Sequence, residues 1–282
     1  MQKNTLRLRI IKDRGCKALV VLLSFITMLP LLFILFYIIK NGIAVINWQF
    51  LTSLPKPVGE FGGGISNAIV GTLILIAISC VISIPLGICA GIYLSESKKG
   101  RFPYCVRLCV EILQGIPSIV IGIIAYAWVV ITTGTFSAFS GGFALGIMML
   151  PVIVRTTEET LKLIPDTLKE ASLSLGVPNY RTILKVILPA GASGIVTGIL
   201  LSVARIAGET APLLFTAFGN PFMEVNIFKP INSLPLLIFN YATSPYPEWH
   251  ALAWGASFIL IVLVLTLNFS VKLITKRWKV QF

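Results

Sequence analysis

Arg205 and Glu209 lie four residues apart inside an apolar stretch running from about Ala190 to Phe218. A charge surrounded by hydrocarbon is costly, so two of them imply a task or a partner. On a helix that spacing puts both side chains on one face, within reach of each other. Guanidinium stays charged and offers a planar fork of donors that fits a tetrahedral oxyanion. One reading is that Arg205 meets an anion in transit. Glu209 would hold Arg205 at rest and compete with the anion, so that the anion can leave. The other reading is a structural ion pair that locks two helices.

At about 100° per residue, Gly194, Gly198, Ser202, Arg205, Glu209, Pro212 and Thr216 fall on one side of this helix. Val196, Leu200, Val203, Ala207 and Leu214 fall on the other. Gly194-x3-Gly198-x3-Ser202 allows close approach of a second helix. Pro212 loosens the helix near its outer end. The small, polar side is expected to line a bundle interior or a water-filled path.

Other chemistry is sparse. His250 is the single histidine and sits in Glu248-Trp249-His250, an interfacial setting. That excludes His-rich metal sites and HExxH chemistry, and no Ser/His/Asp constellation can be built. No metal or cofactor is expected. The five cysteines are Cys16, Cys80, Cys89, Cys105 and Cys109. Their number is odd and none falls in an outer segment, so no disulfide framework is implied. Cys105 and Cys109 read as two buried thiols on one helix face. No G-x4-G-K-[ST] occurs, so the chain has no Walker A loop for ATP. An intramembrane enzyme is disfavoured, and if transport is active the ATPase is a separate chain.

The elements that carry these residues follow from composition. Of 282 residues, 56% are hydrophobic and 12% charged, with mean hydropathy +0.91 and net charge +12. A soluble core of this size could not hide so much apolar surface. Soluble enzymes, disordered tails and secreted disulfide scaffolds are excluded. Six stretches approach the roughly 20 apolar residues a membrane helix needs. They are Ala18–Ile39, Asn67–Leu94, Ile112–Thr133, the marginal and Gly-rich Phe136–Val154, Ala190–Phe218 and Ala251–Thr275. The first run is too long for a signal peptide and lacks a small-x-small cleavage site. The short link between the third and fourth implies a tight hairpin.

Basic residues set the orientation. Lys3, Arg7, Arg9, Lys12, Arg14 and Lys17 precede the first span. Lys98, Lys99, Arg101 and Arg107 follow the second, and Arg155, Lys162, Lys169, Arg181 and Lys185 the fourth. Lys272, Lys276, Arg277 and Lys279 close the chain, while the opposite side has only Lys40, Lys56 and Lys229. Both termini are expected in the cytoplasm. The excess of positive charge is thus a topology signal with membrane lipid as the partner, and no nucleic acid is called for. Outside, the Pro-rich segment from Gly219 to His250 is expected to be ordered by docking.

Inside, residues 155–189 form the one sizeable non-membrane element. Pro165-Asp166-Thr167 starts a helix that runs through Glu170, Ala171 and Leu175 to a Gly176 stop. A second short helix, about Asn179–Ile187, leads through Leu188-Pro189 into the fifth span. Glu170-Ala171-Ser172-x3-Gly176, nine residues, then Val186-Ile187-Leu188-Pro189 resembles the EAA loop of ABC importer permeases. Ser172 and Val186 stand where that pattern has Ala and Ile. The stretch from Ala204 to Leu214 resembles the phosphate-importer branch of this binding-protein-dependent permease family. So do Gly62-Gly63-Gly64-Ile65 with Gly71-Thr72, Gln114-Gly115-Ile116-Pro117-Ser118, and Ser244-Pro245 with Glu248-Trp249.

The resemblance implies an all-α six-helix membrane bundle with the type I ABC importer permease fold. Residues 1–17 would be a basic tail, 18–66 a first helix and outer loop, 67–275 the permease domain and 276–282 a tail. Glu170, Ala171, Ser172 and Gly176 would form the coupling loop that docks on an ATPase. Ser202, Arg205, Glu209 and Thr210 would line the translocation path. Implied partners are a homologous sister permease, an ATPase dimer, a phosphate-binding protein and phosphate itself. Alternatives are a permease for another oxyanion (molybdate, sulfate or phosphonate) and an ion-coupled secondary carrier.

Overall fold

The structure, a computed structural model, describes residues 2–60, 62–97 and 100–277. Lys98, Lys99 and Lys279, and the end of the expected C-terminal tail, lie outside the described residues. The helices are α1 (Gln2–Ile43), α2 (Trp48–Thr52), α3 (Ser66–Glu96), α4 (Arg101–Gly115), α5 (Ser118–Thr133), α6 (Ala138–Lys162), α7 (Asp166–Ser174), α8 (Asn179–Ile206), α9 (Ala211–Leu214), α10 (Leu234–Ala242) and α11 (Pro247–Arg277). Among the described residues no β-strand occurs, only an isolated bridge between Phe218 and Ile231. Five helices are long and apolar enough to cross a membrane, or six if α4 and α5 count as one bent span.

The centre of the bundle is α6. Its most apolar window has mean hydropathy 1.7 and is 67% buried, against 2.8 and 0% for α1. The span that looks weakest by hydropathy is thus the one that meets little lipid. A helix surrounded by protein can trade Leu for Gly and Ser because its packing, not its solvent, sets its composition. Ser137 and Ser140 form a capping box at its start, after Gly134 turns the chain in the left-handed region at φ +72°.

A parallel seam joins α3 to α6. Ser79 and Ser83 donate to the carbonyls of Gly142 and Gly146 at 3.0 and 2.8 Å. Farther along, a Cβ on Gly91 would stand 2.5 Å from the Thr157 side chain, so only glycine permits this approach. Leu75, Leu145, Met149 and Ile153 fill the core beside the seam, with Ile206 and Leu213 closing it from α8 and α9. In contrast, α1 rests on α11, where Gly42 lies against Phe258 and Trp254.

Several sequence expectations are corrected. The third span does not begin at Ile112. That residue lies in the last turn of the amphipathic α4, which ends at Gly115, and α5 starts at Ser118 after Pro117, bent by 107°. The fifth span does not run to Phe218. It stops at Ile206, and after Gly208 and Glu209 the short α9 begins with Pro212 near its start. The second helix of the loop is not separate either. It runs on through Pro189 as α8, and a π turn over Ile183–Ile187 absorbs the hydrogen bond that proline cannot donate. Cys105 and Cys109 are exposed, not buried.

The Pro-rich segment docks on its own chain, at the end of the bundle far from α7. Ile231, Leu234, Leu236 and Leu237 are buried. The Leu234 N–H donates to Thr72 Oγ1 at 2.9 Å, and Asn67 Nδ2 donates to the Asn220 carbonyl at 2.7 Å. Ser233 caps α10, with Pro235 in its first turn. That start signal was legible as Ser233-Leu234-Pro235 before an apolar run.

Candidate functional site

Two groups of residues carry candidate function, one at each side of α8. The first is the EAA-type loop. α7 ends at Ser174 and Gly176 takes φ +78°, the left-handed turn that the glycine stop signal predicts. Ser172 and Thr182 are both buried and share a hydrogen bond of 2.9 Å, which pins α7 against the start of α8. The serine that departs from the EAA pattern therefore has a polar partner in this chain. Lys169 pairs with Glu96 at the end of α3. Glu170 and Ala171 face outward. Leu163 and Leu175 are each 84% exposed, and Leu184 and Tyr180 stand open beside them. Bare apolar side chains on a polar loop are the kind of surface that can bind another protein.

The second group sits where α8 breaks. Arg205 is in the last helical turn, where the helix dipole favours a cation. Glu209 lies beyond the helix, its N–H donating to the Ile206 carbonyl. The two charges are still paired, but at 3.8 Å, with 52% of the Arg205 side chain and 21% of that of Glu209 exposed. The spacing of four thus brings them together across a chain break and not along one helix face. Thr210 opens α9 and lines an apolar cavity with Ile38, Phe239 and Leu260.

The rest of the expected polar face divides. A Cβ on Gly194 would meet Thr160 at 2.4 Å, and one on Gly198 would meet Thr156 Oγ1 at 2.1 Å. These glycines therefore press α8 onto α6. Ser202 is buried, and its hydroxyl donates back to the Ile199 carbonyl. Val203 and Ala207, expected on the greasy side, are buried as well. Only the portion of the face at Arg205 stays open. The opposite side of the break packs tightly, with Pro212 against Gly122 of α5.

Residues that the sequence did not single out also form charge clusters. Glu158, buried on α6, accepts from Arg107 Nε at 2.8 Å and from Lys162 at 2.5 Å. The same Arg107 donates to the carbonyls of Leu94 and Ser97. The i,i+4 spacing of Glu158 and Lys162 is local, but no spacing signals Arg107, which meets Glu158 only through the fold. In the Pro-rich segment, Glu224 accepts from the N–H groups of Asn226 and Val225 and pairs with Lys229. Led by the Asn226 N–H, these contacts hold its carboxyl below the ordinary range. Among the described residues no group of side chains could hold a metal ion.

Comparison with known proteins agrees with this architecture. Residues 83–280 match the family described as "Binding-protein-dependent transport system inner membrane component". A "Phosphate transport system permease protein PstA" of Yersinia pestis is 44% identical over 250 residues, covering 88% of this chain and 85% of the relative. A "Probable phosphate transport system permease protein PstA" of Methanocaldococcus jannaschii is 36% identical, covering 92% of each. Among solved structures, a chain of a bacterial alginate ABC transporter in complex with a pentasaccharide-bound periplasmic protein superposes with TM-score 0.71 at 13% identity. It covers 95% of this chain and 96% of that one. A chain of the inward-facing MetNI methionine ABC transporter gives 0.61 at 19% identity, covering 77% and 94%. The bundle thus has the type I ABC importer permease fold, and the chain belongs to the binding-protein-dependent transport system inner membrane components, the multi-pass permease subunits of ABC importers.

Proposed function

We propose that this chain imports inorganic phosphate as half of a translocation path, with a homologous sister permease supplying the other half. The observation that carries the substrate is the 44% identity, over 88% of the chain, to a relative named as a phosphate transport permease. Arg205 supports it chemically. Its guanidinium is half-open at the end of α8 and loosely paired, so a tetrahedral oxyanion can displace Glu209. At 3.8 Å the pair is loose, which suits a displaceable contact better than a lock between helices. Thr210 follows at the same break. Ser202 acts as a packing residue behind Arg205.

Residues 67–275 form the permease domain in this reading. Both termini are cytoplasmic, by the bias of Lys and Arg toward the α7 end. An ATPase dimer docks on α7 and on the equivalent loop of the sister subunit, covering Leu163 and Leu175. Glu170, Ala171, Ser172 and Gly176 carry its motion into the bundle. ATP binding draws the loops together and turns the path outward; hydrolysis resets it. A phosphate-binding protein delivers substrate at the far end.

Uptake of labelled phosphate into vesicles holding the four components tests the reading. Uptake should require ATP and the binding protein. Arg205→Ala should abolish uptake while the ATPase still assembles. Uptake driven by a proton gradient without ATP would refute the importer reading. Normal uptake by Arg205→Ala would refute the role of that residue.

A further inference from the structure

The chain connects α7 directly to α6, through residues 163–165, and to α8, through residues 175–178. It offers no such link to α3. Instead a cavity of about 490 Å³ separates the end of α3 from the loop. Ser95 and Glu96 line it from one side, Asp166, Lys169 and Glu170 from the other. Across it Lys169 and Glu96 form an ion pair, with 26% and 27% of their side chains exposed. Glu96 is the last residue of α3, and Lys169 is the neighbour of Glu170.

What lies behind Glu96 is stiff. Arg107 holds the carbonyls of Leu94 and Ser97 and reaches Glu158 with its Nε. Beyond that clamp, α3 is fixed to α6 along the seam of Ser79, Ser83 and Gly91. At its far end α3 carries Asn67, Gly71 and Thr72, which grip the buried segment at Asn220, Asn232 and Leu234. One continuous helix, with Pro85 in its interior, therefore joins the cavity beside the loop to the segment at the opposite face.

We propose that Lys169 and Glu96 are positioning residues that transmit the movement of α7 to α3, and through α3 to the buried segment 231–237. The arrangement suits that task. Two long side chains keep contact while the angle between their helices changes, which a tightly packed apolar contact does not. The cavity gives α7 room to move. The proposal rests on the ATP-driven import reading above.

The test is phosphate taken up per ATP hydrolysed, in vesicles holding the complete importer. The variants are Glu96→Gln, Lys169→Met and the swap Glu96→Lys with Lys169→Glu. Each single variant should bind ATPase at the wild-type level, yet its ratio should fall at least about fivefold, the low end of coupling between sites. The swap should recover at least half of the wild-type ratio. An unchanged ratio in both single variants would overturn the proposal. So would a parallel loss of bound ATPase and uptake, which marks a merely structural contact, or a swap that recovers nothing. If the wild-type importer shows no ATP-dependent uptake, the underlying reading fails first, and this one with it.

Discussion

The loop around α7 and the break after α8 use polar residues in opposite ways. In the loop, the contacts are closed. Ser172 meets Thr182, Lys169 meets Glu96, and Gly176 fixes one sharp turn. At the break, Arg205 and Glu209 touch at 3.8 Å, and Arg205 stays open. The difference follows from what each must do. An element that passes on movement must keep its contacts while it moves, so its polar groups are satisfied within the chain. A group that receives a passing anion must be easy to detach from its resting partner. The loop spends its polar chemistry on shape, and the break keeps it available.

The break depends on its backing helix, and removing that support should have the largest effect. Gly198→Leu would drive a side chain into Thr156 Oγ1, where even a Cβ stands at 2.1 Å. Overpacking of this kind costs about 1–3 kcal/mol or more. The yield of monodisperse chain in detergent should collapse, and a wild-type yield would show that α8 can leave α6 freely. Next comes the fork of Arg205. Arg205→Lys keeps the charge but loses bidentate contact, so phosphate uptake should drop about tenfold while folding is untouched. Full uptake would mean that charge alone suffices at the break.

Smaller effects separate the loop from the break. Gly176→Val forces a β-branched residue to φ +78°, a penalty of about 1–2 kcal/mol. Binding of the ATPase should weaken with the strain, whereas Gly176→Asn should bind nearly as well. Equal binding by both variants would show that the turn does not set the docking surface. The mildest change is Ser172→Ala, which leaves the buried Thr182 hydroxyl short of a partner at a cost of about 1 kcal/mol. Thermal unfolding should shift down by a few degrees, and uptake per ATP should fall modestly with the loosened loop. An unchanged ratio would remove Ser172 from coupling and leave it a packing residue.

Legibility differed between the two regions for a physical reason. The loop is local. Pro165, Glu170, Gly176 and Pro178 act on their own stretch of backbone, so a start, a stop and a turn could be read directly. The break is not local. Periodicity extended α8 through Arg205 and Glu209 to Phe218, since Gly208 and Pro212 are tolerated inside many membrane helices. What ends α8 at Ile206 is its surroundings, with Pro212 seated on Gly122 and Leu213 in the core. The same limit hid the bend at Pro117, where hydropathy runs straight on through the corner.

By itself the sequence determined the solvent, the number of apolar stretches, the family and the identity of the two odd charges. Each of these depends on composition or on short-range spacing, which any fold must respect. The tertiary structure decided which polar residues are spent and which remain free. Ser202 lies on the same helical side as Arg205, yet one is buried and the other is open. It also decided that Glu96, unmarked by any motif, meets Lys169. Both outcomes depend on which helices become neighbours, and that is settled by packing across distances no local pattern spans.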